Sequence, residues 1–238
     1  MTRPPGVRDP PACRSWLARP ALAWERDRHV LPHGRRGRPM TAGTVVVTGF
    51  TPFGTHTENP SADVVRELGA APGAPGGARL VTDVLPTSFA RATSRVRELV
   101  DEHEPSALLA LGLAENRTVL TVERVGINLV DARIPDVDGV QPVDVPVRDG
   151  GPDAHLATID VRAAVAAARG TGIEAETSST AGLYVCNAVL YTALDAARAA
   201  SPGTVAGFVH LPPARDLPLA DAVRAVRAIV ASLVGQPG

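Results

Sequence analysis

Cys186 closes the segment Ser179-Thr180-Ala181-Gly182-Leu183-Tyr184-Val185-Cys186-Asn187, and the chain has only one other cysteine, Cys13. Residues 188–200 contain no Pro or Gly, are rich in Ala, and carry apolar residues at helical spacing, which predicts a helix. The thiol is therefore expected at or just before a helix N-terminus. Unpaired backbone N–H groups there favour the thiolate, the form of sulfur that attacks a carbonyl. An inert, small buried cysteine is the competing reading.

A sulfur nucleophile needs a base. His210 follows Gly207-Phe208-Val209 inside an apolar strand pattern, so its surroundings could fix it as a general base must be fixed. A core histidine satisfied by packing is the alternative. His56 falls in a loop, His103 at a helix end and His155 in a turn-rich stretch. Glu123 lies within residues 118–125, another strand pattern, where a half-buried carboxylate needs a partner. Arg124 is adjacent, but neighbours on a strand point to opposite faces, so an imidazole would serve better.

Phe50 and Phe53 are two of only four phenylalanines, and both fall in the loop Gly49-Phe50-Thr51-Pro52-Phe53-Gly54. They could wall a small apolar pocket or simply pack a core. The Gly-x4-Gly spacing resembles a phosphate loop, but Thr55-His56 follow where Lys and Ser or Thr belong. That leaves a nucleotide-binding module with weak support. No His-Glu-x-x-His, zinc-spaced Cys/His set or Gly-x-Ser-x-Gly elbow occurs, so neither a metal centre nor a hydrolase serine is expected.

The elements that must position these residues alternate along the chain. Strands are predicted over residues 44–48, 80–85, 107–111 and 205–211, with one or two more within 118–134. Helices are predicted near 62–68, 88–102, 161–169, 188–200 and 217–234. Continuous apolar strands separated by helices predict an α/β fold, a single-domain three-layer α/β/α sandwich with a mostly parallel twisted sheet. In such sheets sites gather at the carboxyl ends of strands, which is where Gly49-Phe50, Gly112-Leu113 and His210-Leu211 fall.

Composition bounds the rest. With 45% hydrophobic and 21% charged residues, the 238-residue chain reads as a soluble globular protein. Its net charge of −1 gives no electrostatic case for nucleic acid. No apolar run is long enough to span a membrane, and no secretory h-region is evident, so a cytoplasmic protein is expected. Residues 1–39 hold nine Arg against three acids, with seven Pro and no sustained apolar period. They are expected to be a disordered extension, a mis-assigned start ahead of Met40.

Taken together, four blocks resemble the pyroglutamyl-peptidase I, or pyrrolidone-carboxylate peptidase, family. They are Thr48-Gly49-Phe50-Thr51-Pro52-Phe53-Gly54 with Asn59-Pro60-Ser61; Arg117 through Glu123-Arg124-Val125 to Asp131-Ala132-Arg133-Ile134-Pro135-Asp136; Thr180 through Cys186-Asn187; and Ala206-Gly207-Phe208-Val209-His210. The resemblance implies a catalytic domain over residues 40–238 with a Glu–Cys–His triad: Cys186 as nucleophile, His210 as base and later acid, Glu123 as orienter. It implies that Arg117 lies near the oxyanion and that Phe50, Phe53, Tyr184 and Val185 line the pyroglutamyl pocket. Glu115 stands where the family prefers a small residue, and Gly126 replaces an Ala.

The activity so implied is hydrolysis of the amide bond after an N-terminal pyroglutamyl residue of peptides, through an acyl-enzyme on Cys186, with no cofactor. The family includes monomers and homo-oligomers, which leaves the assembly open. The rival from another class is a weakly catalytic homologue that binds a pyroglutamyl or other lactam ligand without turnover.

Overall fold

Apolar β-rich runs and Ala-rich helical runs alternate in the sequence, and the computed structural model, which describes residues 43–70, 77–200 and 203–234, folds them in that order. The expectations for residues 1–39 and for a start at Met40 lie outside the described residues. In chain order the elements are β1 (Thr44–Phe50), α1 (Pro60–Ala70), β2 (Arg79–Leu85), α2 (Phe89–His103), β3 (Ala107–Leu113), β4 (Leu120–Glu123) and β5 (Val125–Ile127). There follow β6 (Ala154–Leu156), α3 (Val161–Arg169), β7 (Ala175–Ser178), α4 (Val185–Ala199), β8 (Val205–Leu211) and α5 (Leu219–Leu233).

The central sheet has the order β2-β1-β3-β8-β4-β7. Strands β1, β2, β3 and β8 run parallel; β4 runs antiparallel to β8, and β7 follows β4 in parallel. A separate antiparallel ribbon pairs β5 with β6. The expected three-layer sandwich is present, with a mostly parallel sheet. Helices α1, α3 and α5 cover one face and α2 and α4 the other, each with its own apolar cluster. Strand β8 is buried along its whole length, as a strand covered on both faces must be.

Two elements were not anticipated. β7 is the edge strand Ala-Glu-Thr-Ser with one buried residue of four, and β6 has three residues. Neither carries enough apolar alternation to be read locally. Helix α4 begins three residues earlier than its pattern suggests, so Cys186 sits inside the first turn.

The two-residue period of a strand decides which side chains meet. On β8, Val205, Val209 and Leu211 join the α1/α3/α5 cluster, while Ala206 and Phe208 join the α2/α4 cluster. His210 keeps the parity of Phe208 and so faces α4. On β4, Leu120 and Val122 go to the first cluster, which turns Thr121 and Glu123 to the other face. Thr121 pairs directly with His210 across the β4–β8 ladder. One face of the sheet thus carries the carboxylate, the imidazole and the helix that holds the sulfur.

Candidate active site

The site is anchored by loops that tie themselves to the sheet. After β1, the Phe50 N–H donates to Ser61 Oγ (3.0 Å), Ser61 Oγ donates to Asn59 Oδ1 (2.8 Å), and Asn59 Nδ2 donates to the Thr51 carbonyl (3.2 Å). Gly49 is required there, because a Cβ would fall on the Ser61 carbonyl. This network accounts for the Asn59-Pro60-Ser61 block. Thr87 closes it from the β2 side, its hydroxyl donating to the Thr51 carbonyl (2.7 Å). Ser88, not Thr87, caps α2, accepting from the Arg91 N–H.

His210 is 4% exposed and Glu123 is fully buried. His210 Nδ1 lies 2.8 Å from Glu123 Oε1. The carboxyl of Glu123 is pushed up by burial, but hydrogen bonding and charge from His210, with help from Ser178 and Arg117, bring it below its ordinary value. It is therefore an anion, an acceptor only, and the proton between the two groups belongs to Nδ1. That leaves Nε2 as a free base. Burial also holds the imidazole below its usual range, against the raising effect of Glu123. The resting ring is neutral. Phe208 packs on it, with centroids 4.7 Å apart.

Cys186 lines the same pocket as His210 but is not hydrogen-bonded to it; the imidazole's direct partner is Glu123. The surroundings of the sulfur work against the expected thiolate. Burial, then the Glu123 charge, push the thiol up to about 12, outweighing the backbone N–H of Cys186 and the Arg117 charge that favour ionisation. The helix start acts in the anticipated direction, and desolvation of the sulfur is the larger effect. Helix α4 opens without a side-chain cap, since Tyr184 at the cap position makes no such bond. Its first N–H groups are thus left for other acceptors.

The pocket encloses about 590 Å³. Phe50, Phe53, Leu113, Ile134 and Tyr184 form its apolar wall, and Cys186, His210 and Arg117 also line it. Phe53 and Tyr184 approach at 5.9 Å, and Phe89 meets Tyr184 edge-on at 5.3 Å. Burial raises the Tyr184 phenol to about 12, so its hydroxyl stays protonated and donates to the Pro135 carbonyl (3.0 Å). One expectation needs correction. Val185 is fully buried in the α2/α4 core and takes no part in the lining, because it points inward from the first turn of α4. Arg117 lines the pocket, and its guanidinium is engaged with Glu123, Nη1 to Oε1 at 2.6 Å, because the β3–β4 turn brings it over β4.

Several contributors carried no assignment from the sequence. Asn187 is buried beside Cys186. Its Oδ1 accepts from the Ile127 N–H (3.0 Å), and its Nδ2 donates to the Ile127 and Leu129 carbonyls (both 2.9 Å). Asp136 accepts from the backbone N–H groups of Phe89, Asp138 and Val140, all at 2.9 Å, fixing the loop behind Tyr184. His56 reaches Glu115 across the pocket rim, Nε2 to Oε1 at 3.4 Å. A polar residue following the cysteine in the first turn was the one local signal for Asn187. Among the described residues, no group of three or more His, Cys, Asp or Glu is arranged to hold a metal ion, and no helix is long and apolar enough to cross a membrane.

The chain is similar in sequence and fold to known proteins. The sequence model of the pyroglutamyl peptidase family matches residues 43–231. A pyrrolidone-carboxylate peptidase of Clavibacter michiganensis subsp. michiganensis is 46% identical over 169 residues, 71% of this chain and 78% of that protein. One from Escherichia fergusonii is 46% identical over 170 residues, with the same coverage. Among solved structures, pyroglutamyl peptidase I of Bacillus amyloliquefaciens superposes with a TM-score of 0.73 at 36% identity, covering 80% of this chain and 96% of that one. A mutant pyrrolidone carboxyl peptidase of the hyperthermophile Pyrococcus furiosus gives 0.76 at 28% identity, covering 79% and 97%. By sequence and by fold, this chain belongs to the pyroglutamyl peptidase family.

Proposed function

We propose that this protein is a cysteine peptidase that hydrolyses the amide bond after an N-terminal pyroglutamyl residue, with Cys186 as nucleophile, His210 as general base and acid, and Glu123 as orienter. The carrying observation is the 2.8 Å Glu123–His210 contact, buried and opening onto the pocket that Cys186 lines. Family membership supports the substrate class.

The chemistry follows from the charge states. A neutral thiol and a neutral imidazole do not form a resting ion pair. The sulfur therefore loses its proton to His210 Nε2 as it bonds to the pyroglutamyl carbonyl carbon, and Glu123 stabilises the imidazolium that forms. The uncapped N–H groups opening α4 are the donors this reading assigns to the oxyanion. Collapse of the adduct breaks the C–N bond, and His210 returns the proton to the leaving amine. Water, deprotonated by His210, then attacks the thioester, releasing pyroglutamate and restoring the thiol. Pyroglutamate is a neutral lactam without a free α-amine. An apolar wall of Phe50, Phe53 and Tyr184 suits it better than an anionic anchor would.

The same reading takes residues 40–238 as the catalytic domain, supported by a family match that begins at residue 43. It places the free nucleophilic thiol in a reducing, cytoplasmic setting. Exposed Val137, Val140 and Val143 support contact with further copies of the chain.

The test is release of a fluorophore from a pyroglutamyl amide by the full chain. Thiol alkylation should abolish release and a metal chelator should leave it unchanged. Cys186→Ser should keep the fold and lose activity by about three orders of magnitude or more. A well-folded protein that binds the amide without turnover would sink this reading.

A further inference from the structure

We infer that Arg117 is a positioning residue of this site, a guanidinium fork that holds the orienting carboxylate and the loop of the nucleophile in one geometry. The inference rests on the peptidase reading. It concerns how the groups are held and not which groups react.

Arg117 lies in the turn between β3 and β4, where its N–H bonds the Ala114 carbonyl (3.1 Å). Its two terminal nitrogens face different parts of the site. Nη1 donates to Thr121 Oγ1 and to Glu123 Oε1 on β4. Nη2 donates to Ser178 Oγ (3.1 Å), at the end of β7, and to the Thr180 carbonyl (2.8 Å). Thr180 opens the short segment that ends at Cys186. Ser178 Oγ also donates to the Thr180 carbonyl (3.1 Å) and accepts from its N–H (3.2 Å), so the guanidinium grips a turn already closed on itself. A planar fork with donors in fixed directions can span two segments in this way; a lysine ammonium cannot.

The carboxylate depends on this grip. Glu123 Oε1 receives both the Arg117 donor (2.6 Å) and His210 Nδ1 (2.8 Å). Oε2 is buried with no direct partner. Ser178 is near enough to lower the carboxyl's proton affinity, but its hydroxyl is directed to Thr180. Without Arg117 the carboxylate loses its second point of attachment and is free to turn about its terminal bond, taking the imidazole with it. The groups facing the imidazole are Glu123 from β4, Arg117 from the β3–β4 turn and Cys186 from α4. Glu115, Asp131 and Arg133 share the pocket lining farther out. The Arg117 charge disfavours the imidazolium and favours ionised sulfur, so its removal raises the proton affinity of both.

The test compares Arg117→Met and Arg117→Lys with the natural chain in three measurements. These are kcat and KM on a fluorogenic pyroglutamyl amide, the His210 titration by NMR in a Cys186→Ser background, and Tm. In Arg117→Met, kcat per alkylatable thiol should fall about a hundredfold with KM within about threefold, and His210 should titrate at higher pH. Arg117→Lys keeps the charge without the fork. Its kcat should fall about tenfold, with the His210 titration near that of the natural residue. Should the Met variant fail to fold, the Lys variant carries the same test. A rise in KM at constant kcat would assign Arg117 to substrate binding and overturn the inference. So would a lowered Tm with kcat per thiol and His210 titration unchanged, which is the mark of a scaffold role. A natural chain without turnover would count against the peptidase reading alone, since the NMR comparison would still report whether Arg117 governs His210.

Discussion

Gly112 stands directly opposite His210 in the β3–β8 ladder, and a Cβ at that position would lie 3.0 Å from Cys186 Sγ and 2.8 Å from Phe208 Cζ. The same Phe208 ring packs against the imidazole. The absence of a side chain at Gly112 is therefore what lets sulfur and imidazole share this corner of the sheet. Gly112→Ala should destabilise by about 1–3 kcal/mol through overpacking. Its kcat should fall more than about tenfold, because the displaced atoms are the reacting ones. A thermal melt together with steady-state kinetics checks this. An Ala variant with natural kcat would show that the corner tolerates the methyl group.

Glu123 and His210 should respond unequally to substitution. His210→Ala removes the imidazole that shares the pocket with Cys186 and should lower kcat by about a thousandfold or more. Glu123→Gln keeps the shape and removes the charge, so the loss should be smaller in rate. It should be larger in stability, by about 1–3 kcal/mol, because the Arg117 cation loses its carboxylate. Denaturant melts and kinetics on both proteins separate the two effects. Equal rate losses would mean that Glu123 does more than orient.

Stability should fall on both sides of a plateau between about pH 7 and pH 9. Glu123 has its carboxyl lowered from 4.5 in the fold, so the unfolded chain binds that proton more readily. Its contribution is present above 4.5 and lost as pH falls through the folded value. His210 is lowered from 6.5 by burial, so stability already declines as pH drops below 6.5, where the unfolded imidazole charges and the buried one does not. Cys186 is raised from 9.0 to about 12, so its contribution is complete below 9 and lost as pH rises toward 12. Tm measured against pH should show this, and Cys186→Ser should move the start of the alkaline decline up toward about pH 10, where Tyr184, raised from 10.0 to about 12, begins to contribute. An alkaline limb unaffected by Cys186→Ser would contradict the raised proton affinity of this thiol.

Asn187, the residue after Cys186, is tied to the backbone of Ile127 and Leu129 by three hydrogen bonds in a buried setting. Asn187→Ala should destabilise by about 2–4 kcal/mol, since it strands buried backbone groups. It should also raise KM, because the strand it holds runs on to Asp131 and Ile134 in the pocket lining. Calorimetry and kinetics test both; an unaltered Tm would show that water replaces the side chain.

Much of this architecture was legible in the chain. The strands β1, β3 and β8 announce themselves as continuous apolar runs, and Cys186, His210 and Glu123 stand out as reactive types in constrained places. Phe53 and Tyr184 were expected at the pocket and line it. Arg117 was placed near the oxyanion by resemblance, and its contacts to Glu123, Ser178 and Thr180 were not foreseen. Ser178 and Thr180 lie 61 and 63 positions away, and no local pattern announces such a meeting. The edge strand β7, whose end holds Ser178, was missed for the same reason: its four residues are specified by pairing with β4 and not by their own alternation.

Residue type and period are properties of neighbouring residues, so the sequence by itself determined the alternation of strands and helices, the two apolar faces and which reactive side-chain types the strand ends and helix start carry. Proton affinity and distance depend on everything packed around an atom. The tertiary structure alone decided that Glu123 and His210, 87 positions apart, share one buried hydrogen bond, and that desolvation and the Glu123 charge raise the proton affinity of Cys186 at the very helix start that would otherwise favour its anion. Desolvation is set by the whole fold, and here it outweighs the local field of a few N–H groups.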